Sequence, residues 1–126
     1  MQPNSLRIRL SAFLGLIAIV LGAQGAHGKI HDALLAAGTL DNWKTAVSYH
    51  LPHSILLLVL ALLGSAGGKC GSWSWRCLYA GVLLFSGSLY LHALTQVKWL
   101  VYVTPVGGLS IMVGWGLLIF SRWQRA

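Results

Sequence analysis

Four stretches of this sequence contain no Asp, Glu, Lys or Arg: Leu10–Gly28, Thr45–Gly68, Cys77–Val97 and Trp99–Ser121, of 19, 24, 21 and 23 residues. A helix needs about 17–25 apolar residues to cross a hydrocarbon core of roughly 30 Å. Inside that core no water satisfies a free amide or carbonyl, so the backbone must pair with itself. Each stretch has the required length. Charged residues make up 9% of the chain, against roughly a quarter in a soluble domain. The residues outside the stretches are too few to build a hydrated surface, which excludes a water-soluble enzyme. The pattern predicts an all-α membrane protein, with four transmembrane helices in an up-down bundle at about 10–27, 45–65, 77–96 and 99–121. At 126 residues it forms a single transmembrane domain over 1–126.

The formal net charge of +7 reads as topology. The basic residues flank the spans, form no stripe on an amphipathic helix and belong to no nucleic-acid motif, so no nucleic-acid partner is expected. Cytoplasmic loops carry the excess of Lys and Arg. With four crossings, Arg7, Arg9, Lys69, Arg76, Arg122 and Arg125 share one side, while Lys29, Lys44 and Lys98 share the other with the only acids, Asp32 and Asp41. Six against three places both termini in the cytoplasm. Arg7 and Arg9 ahead of Leu10–Val20 also resemble a secretory signal, with Ala23-Gln24-Gly25 suited to cleavage. The small residues that follow favour a retained, packed helix.

Those small residues predict how the helices meet. Ser11, Gly15, Ala18, Gly22, Gly25 and Ala26 recur three or four apart on the first helix, and such stripes let backbones approach closely in lipid. Gly81 with Ser86-Gly87-Ser88 on the third, and Gly107, Ser110 and Gly114 on the fourth, extend the set. Gly15, Gly22, Gly25, Gly87, Gly107 and Gly114 are the expected packing positions, within the chain or toward other subunits. Thr39 or Asp41 can cap the second helix. Lys29–Ala37 fits a short interfacial helix closed by Gly38, and Gly64–Gly71 reads as a cytoplasmic turn. Pro52 and Pro105 lie near the starts of the second and fourth helices, where Pro52 frees a carbonyl near Ser48. Trp43, Trp99 and Tyr102 mark one membrane interface, and Trp73, Trp75, Tyr79 and Trp123 the other.

The chemistry concentrates in five histidines, His27, His31, His50, His53 and His92, which the topology gathers at the non-cytoplasmic side. At about 1.5 Å of rise per residue they lie within roughly the outer 5–12 Å of the bilayer, a depth at which ionisable groups usually face the bundle interior. His50 and His53 are three apart and share a face; Tyr49, Tyr90 and Gln24 are possible partners. Imidazoles from different helices suit copper or zinc, two axial ligands of a b-type haem, or a quinone headgroup or proton relay. They equally suit structural hydrogen bonding between helices. Cys70 and Cys77 lack a second pair or nearby His for zinc and read as reduced, inert thiols. No carboxylate lies inside a span, so no acid–base pair is offered. A dyad of Ser86 or Ser88 with His92 is conceivable but lacks any wider protease signature.

Four ordered blocks carry a resemblance: Leu21-Gly22-Ala23-Gln24-Gly25-Ala26-His27-Gly28, Thr45-Ala46-Val47-Ser48-Tyr49-His50-Leu51-Pro52-His53, Phe85-Ser86-Gly87-Ser88-Leu89-Tyr90 and Thr104-Pro105-Val106-Gly107-Gly108. From about Leu10 to Phe120 the chain resembles the YgdD-like family of small bacterial inner-membrane proteins, a domain-of-unknown-function family with a eukaryotic relative. The resemblance implies four transmembrane helices and a multi-pass place in the bacterial inner (plasma) membrane. The recurring histidines of that family match His27, His50 and His53; Gln24 stands where an aromatic is usual and His92 where Leu is commoner. No reaction, ligand or partner comes with the resemblance, so the cofactor stays unknown. The expected function is non-enzymatic: a small subunit or assembly partner of a larger membrane complex, surrounded by lipid and by protein partners or copies of itself. The alternative is a module in which His27, His50, His53 and Tyr49 bind a haem or quinone, or His27, His50 and His53 a metal ion.

Overall fold

A computed structural model describes residues 2–123 as helices joined by short turns. Arg125, one of the six basic residues assigned to the cytoplasmic side, lies outside the described residues. The helices are α1 (Ser5–Ala26), α2 (Lys29–Ala37), α3 (Leu40–Leu63), α4 (Gly68–Thr95) and α5 (Leu100–Phe120), with a single 3-10 turn at Gly64–Gly67. Three segments are long and apolar enough to cross a membrane: Ser5–Ala26, Leu40–Thr95, which contains both α3 and α4, and Leu100–Phe120.

Local chemistry sets the helix ends. The Asn4 side chain accepts the Arg7 amide N–H at 3.1 Å, giving one free donor of the first turn of α1 a partner. At the other end of α1, His31 Nδ1 donates to the Gly25 carbonyl at 2.8 Å. The α2 helix has the expected bounds, and Gly38 closes it with φ 73°, a left-handed conformation that glycine adopts without a Cβ penalty. Thr39 begins α3 without a side-chain cap. Its hydroxyl instead donates to the Ala93 carbonyl of α4 at 2.8 Å, so the expected cap is a bond between helices.

Successive long helices run antiparallel. Thr39 to the Ala93 carbonyl, Ser86 to the Ala46 carbonyl (2.9 Å) and Trp75 Nε1 to the Leu57 carbonyl (3.1 Å) share one hairpin register of α3 with α4. Trp43 Nε1 donates to the Leu21 carbonyl at 2.8 Å, and the Asn4 amide to the Ala61 carbonyl at 3.0 Å, laying α1 along α3. Ser74 donates to the Gly114 carbonyl and Ser110 to the Cys77 carbonyl, both at 2.7 Å, laying α5 along α4. The core near the Gly64–Gly67 turn joins Leu14, Leu57, Leu78, Val82 and Ile111 from all four long helices. At the other end, Leu34 of α2 packs on Trp43, Ala46, Tyr90 and Ala93.

Three expectations change. The turn predicted over Gly64–Gly71 contracts to four residues, and α4 begins at Gly68 rather than near Cys77. Charge marks where a helix leaves hydrocarbon, whereas hydrogen bonding carries the helix on past Lys69 and Arg76. Trp43 and Trp75, read as interface anchors, are 1% and 6% exposed. Each turns its indole N–H onto a neighbouring helix, while Trp99, Tyr102, Trp73 and Trp123 stay exposed. Among the described residues Gly87 has nothing within 4 Å of where a Cβ would stand; it lines an open groove between α1 and α4. The other expected packing glycines do face neighbours: Gly15 meets Ser54, Gly22 meets Val47, Gly25 the Trp43 ring, Gly107 the Phe85 backbone and Gly114 Leu78.

Candidate functional site

The polar interior around α3 is the candidate site. Pro52 cannot donate to the Ser48 carbonyl four residues earlier, and three other carbonyls of the same helix accept donors from its own side chains. His53 Nδ1 donates to the Tyr49 carbonyl at 2.7 Å, Ser54 Oγ to the His50 carbonyl at 2.8 Å and Ser48 Oγ to the Thr45 carbonyl at 2.7 Å.

His53 has a defined tautomer. A carbonyl oxygen only accepts, so the bond to Tyr49 puts the ring proton on Nδ1. The lone pair on Nε2 then accepts the Trp115 Nε1–H from α5 at 3.0 Å, with the two rings edge to face at 5.9 Å. Both nitrogens are engaged. Ligating a metal or haem through His53, or relaying a proton through it, requires breaking one of these bonds. Tyr49 contributes its carbonyl and stacks on His53 at 6.1 Å; its ring also meets Phe85.

His50 belongs to a different neighbourhood. Its Nδ1 lies 2.9 Å from the Tyr90 hydroxyl of α4, and Tyr90 packs edge to face on Trp43. A hydroxyl both donates and accepts, so this pair forms with either neutral tautomer of His50. Among the described residues Nε2 has no hydrogen-bond partner of standard geometry, although His50 is 4% exposed. The ring forms part of the floor of a groove of about 230 Å³ between α1 and α4, walled by Phe13, Ile17, Leu83 and Gly87. The groove reaches the ring, while Nε2 itself is closed off. His50 and His53 are both on the buried side of α3, yet their side chains bond to different helices, α4 and α5.

The remaining candidates stand apart. His27 ends α1 and is exposed, and the three-histidine set His27, His50 and His53 is not assembled. Among the described residues no group of three His, Cys, Asp or Glu side chains could hold a metal ion. His31 is held at the end of α1 by Gly25. His92 lines a separate groove with Asn42, Thr104 and Pro105. Gln24 is exposed. Ser86 donates to Ala46, and Ser88 pairs with Thr104 and the Phe85 carbonyl, so neither serine forms a dyad with His92. Cys70 and Cys77 are free thiols within α4. Sequence reasoning missed Trp115, which lies far from His53 in sequence and offers no local signal of the pairing.

The profile of the family described as "Protein of unknown function (DUF423)" matches residues 21–108, a region that contains His27, His50, His53, Tyr90 and Gly107. A UPF0382 membrane protein of Staphylococcus aureus (strain bovine RF122 / ET3-1) is similar at 36% identity over 122 residues, covering 94% of this chain and 96% of that protein. UPF0382 membrane protein YwdK of Bacillus subtilis (strain 168) is 39% identical over 120 residues, covering 90% and 93%. A UPF0382 membrane protein of Haemophilus influenzae is 34% identical over 117 residues, covering 93% of each. No solved structure matches the chain at a significant level.

Proposed function

We propose the following role for a chain that belongs to the DUF423 family and is a multi-pass protein of the bacterial inner (plasma) membrane. It crosses the bilayer four times with both termini in the cytoplasm, and it serves as a small non-catalytic subunit or assembly partner of a larger membrane complex. The antiparallel succession of α1, α3, α4 and α5 supports the four crossings. The N-terminal segment and the Gly64–Gly67 turn lie at one end, where Trp123 also packs on Gly67. That end holds Arg7, Lys69 and Arg76, as an inward-facing end requires.

One observation carries the non-catalytic reading: six polar side chains of the long helices and their ends bond from one helix to the next. Thr39, Trp43, Ser74, Trp75, Ser86 and Ser110 all donate to backbone carbonyls of a neighbouring helix, and His53 is closed by Tyr49 and Trp115. Such bonds fix helix positions and leave the groups unavailable for proton transfer. The outer faces are apolar, with Tyr102 and Ile119 of α5 each 79% exposed, ready for lipid or a partner helix.

Photo-crosslinking residues at positions 13, 102 and 119 in living membranes test the role. A protein adduct of discrete mass from one face, retained after mild-detergent purification, is the expected result. Adducts with lipid alone from every face overturn it. Reporter fusions at both termini test the orientation, and a periplasmic signal from either terminus refutes it.

A further inference from the structure

The end of the molecule that holds the N-terminal segment and the Gly64–Gly67 turn contains a vestibule of about 840 Å³, within the roughly 300–1,000 Å³ of small-ligand sites. Arg7, Lys69 and Arg76 line it, with Ser5, Ser65 and Ser72 between them. The two arginines are backed by aromatic rings. Arg7 lies 4.7 Å from the centre of the Trp75 ring and donates to Ser72 Oγ at 2.9 Å; Arg76 lies 4.8 Å from the centre of Trp73. Stacking limits the guanidinium planes to few orientations and leaves edge N–H groups for another acceptor.

The cations have no acidic side chain near them. Arg7 and Arg76, of like charge, line the same space. The only acids of the chain, Asp32 and Asp41, lie in the first turns of α2 and α3, at the opposite end. The start of α4 opens into the same space through Gly68 and Lys69, and no side chain caps it. The positive end of the α4 dipole adds to the charge there, although the Gly68 amide itself donates to the Ser65 carbonyl. Three cations and three hydroxyls line one space, and they call for a multivalent oxyanion.

We propose that this vestibule binds the phosphate of an anionic phospholipid headgroup. Guanidinium edges and hydroxyls pair with phosphate oxygens in a charge-assisted geometry. The lipid source follows from the apolar surroundings: Leu60 and Pro3 line the vestibule, and the 56% exposed Trp73 ring lies against the lining Arg76. The site lies away from the His50 groove and does not depend on the assembly role.

The test uses the full chain in neutral detergent, with native mass spectrometry and thermal unfolding in the presence of phosphatidylglycerol, phosphatidylcholine or inorganic phosphate. Phosphatidylglycerol binds saturably at one per chain and raises the melting temperature, with an affinity that falls as salt rises. Phosphatidylcholine and inorganic phosphate do neither. Each cation removed weakens binding roughly five-fold, so Lys69→Gln with Arg76→Gln weakens it roughly 25-fold, and Lys98→Gln at the far end leaves it unchanged. Should the double variant fail to fold, Lys69→Gln alone, at an exposed position, carries the five-fold test. Equal binding of phosphatidylcholine, or wild-type affinity in the Lys69 variant, overturns the site. Inorganic phosphate binding as tightly as phosphatidylglycerol overturns the lipid assignment.

Discussion

Gly107→Ala is the sharpest probe of how closely the helices pack. A methyl group at Gly107 would overlap the backbone of Phe85 on α4, and backbone cannot rotate aside as a side chain can. Helix α5 must therefore move outward. That movement strains three polar links between the helices: Ser74 to Gly114, Ser110 to Cys77, and Ser88 with Thr104. Such bonds contribute about 0.6 kcal/mol each in membrane proteins, close to 2 kcal/mol together. Overpacking adds about 1–3 kcal/mol, and better helix propensity returns about 0.5–1 kcal/mol. The net loss is about 2–4 kcal/mol. Gly87→Ala is the matched control, because none of the described residues lies within 4 Å of its Cβ position; it keeps only the propensity gain. Reversible unfolding in mixed micelles, followed by tryptophan fluorescence as sodium dodecyl sulfate is titrated, reads both variants. Equal shifts for Gly107→Ala and Gly87→Ala refute the close α4–α5 contact.

Trp115→Phe leaves the His53 Nε2 lone pair without its donor and lowers stability by about 1–2 kcal/mol. A double-mutant cycle with His53→Phe should return a coupling of about 1 kcal/mol, and strict additivity would mean the pair does not interact. Tyr90→Phe strips His50 Nδ1 of its partner while Nε2 has none of standard geometry among the described residues, so it costs about 1–3 kcal/mol. Tyr102→Phe, on an exposed ring, costs nothing measurable, and equal effects of the two would remove Tyr90 from the His50 environment. Gly64→Ala meets both φ 60° and the Gln2 carbonyl and costs at least about 1–2 kcal/mol. Deleting the residues before Asn4 should recover part of that loss in the same unfolding assay, and no recovery would rule out the clash.

Much of the architecture was legible in the chain because its causes are local or compositional. Lys29–Ala37 closed by Gly38 could be read outright, since a left-handed residue after a short apolar turn is a matter of a few neighbouring dihedrals. The apolar helices could be read because lipid tolerates so few charges. The start of α4 could not, because Lys69, Arg76, Trp73 and Trp75 are compatible with a helix extending beyond the hydrocarbon. Trp75 and Trp73 also illustrate a limit of side-chain type. Both suit an interface, yet one is a buried donor to Leu57 and the other an exposed ring beneath Arg76. The four sequence blocks pointed to a family of unknown function, which the DUF423 match establishes; the three relatives named above carry the UPF0382 name.

By itself the sequence determined that this protein is helical, lies in a membrane, and keeps its basic residues at the ends of its spans. Backbone hydrogen bonding in a medium without water leaves few other solutions. Tertiary structure decided which polar groups are engaged. His50 and His53 are equivalent in type and adjacent on one helix, but α5 supplies Trp115 to one and α4 supplies Tyr90 to the other. Gly87 and Gly107 are the same residue, yet only Gly107 has a helix backbone against it. The gathering of Arg7, Lys69 and Arg76 around one vestibule likewise needed the α3–α4 turn to fold back beside the N-terminal segment. Hydrophobicity is a property of each residue, whereas a hydrogen-bond partner or a charged neighbour exists only once distant segments meet.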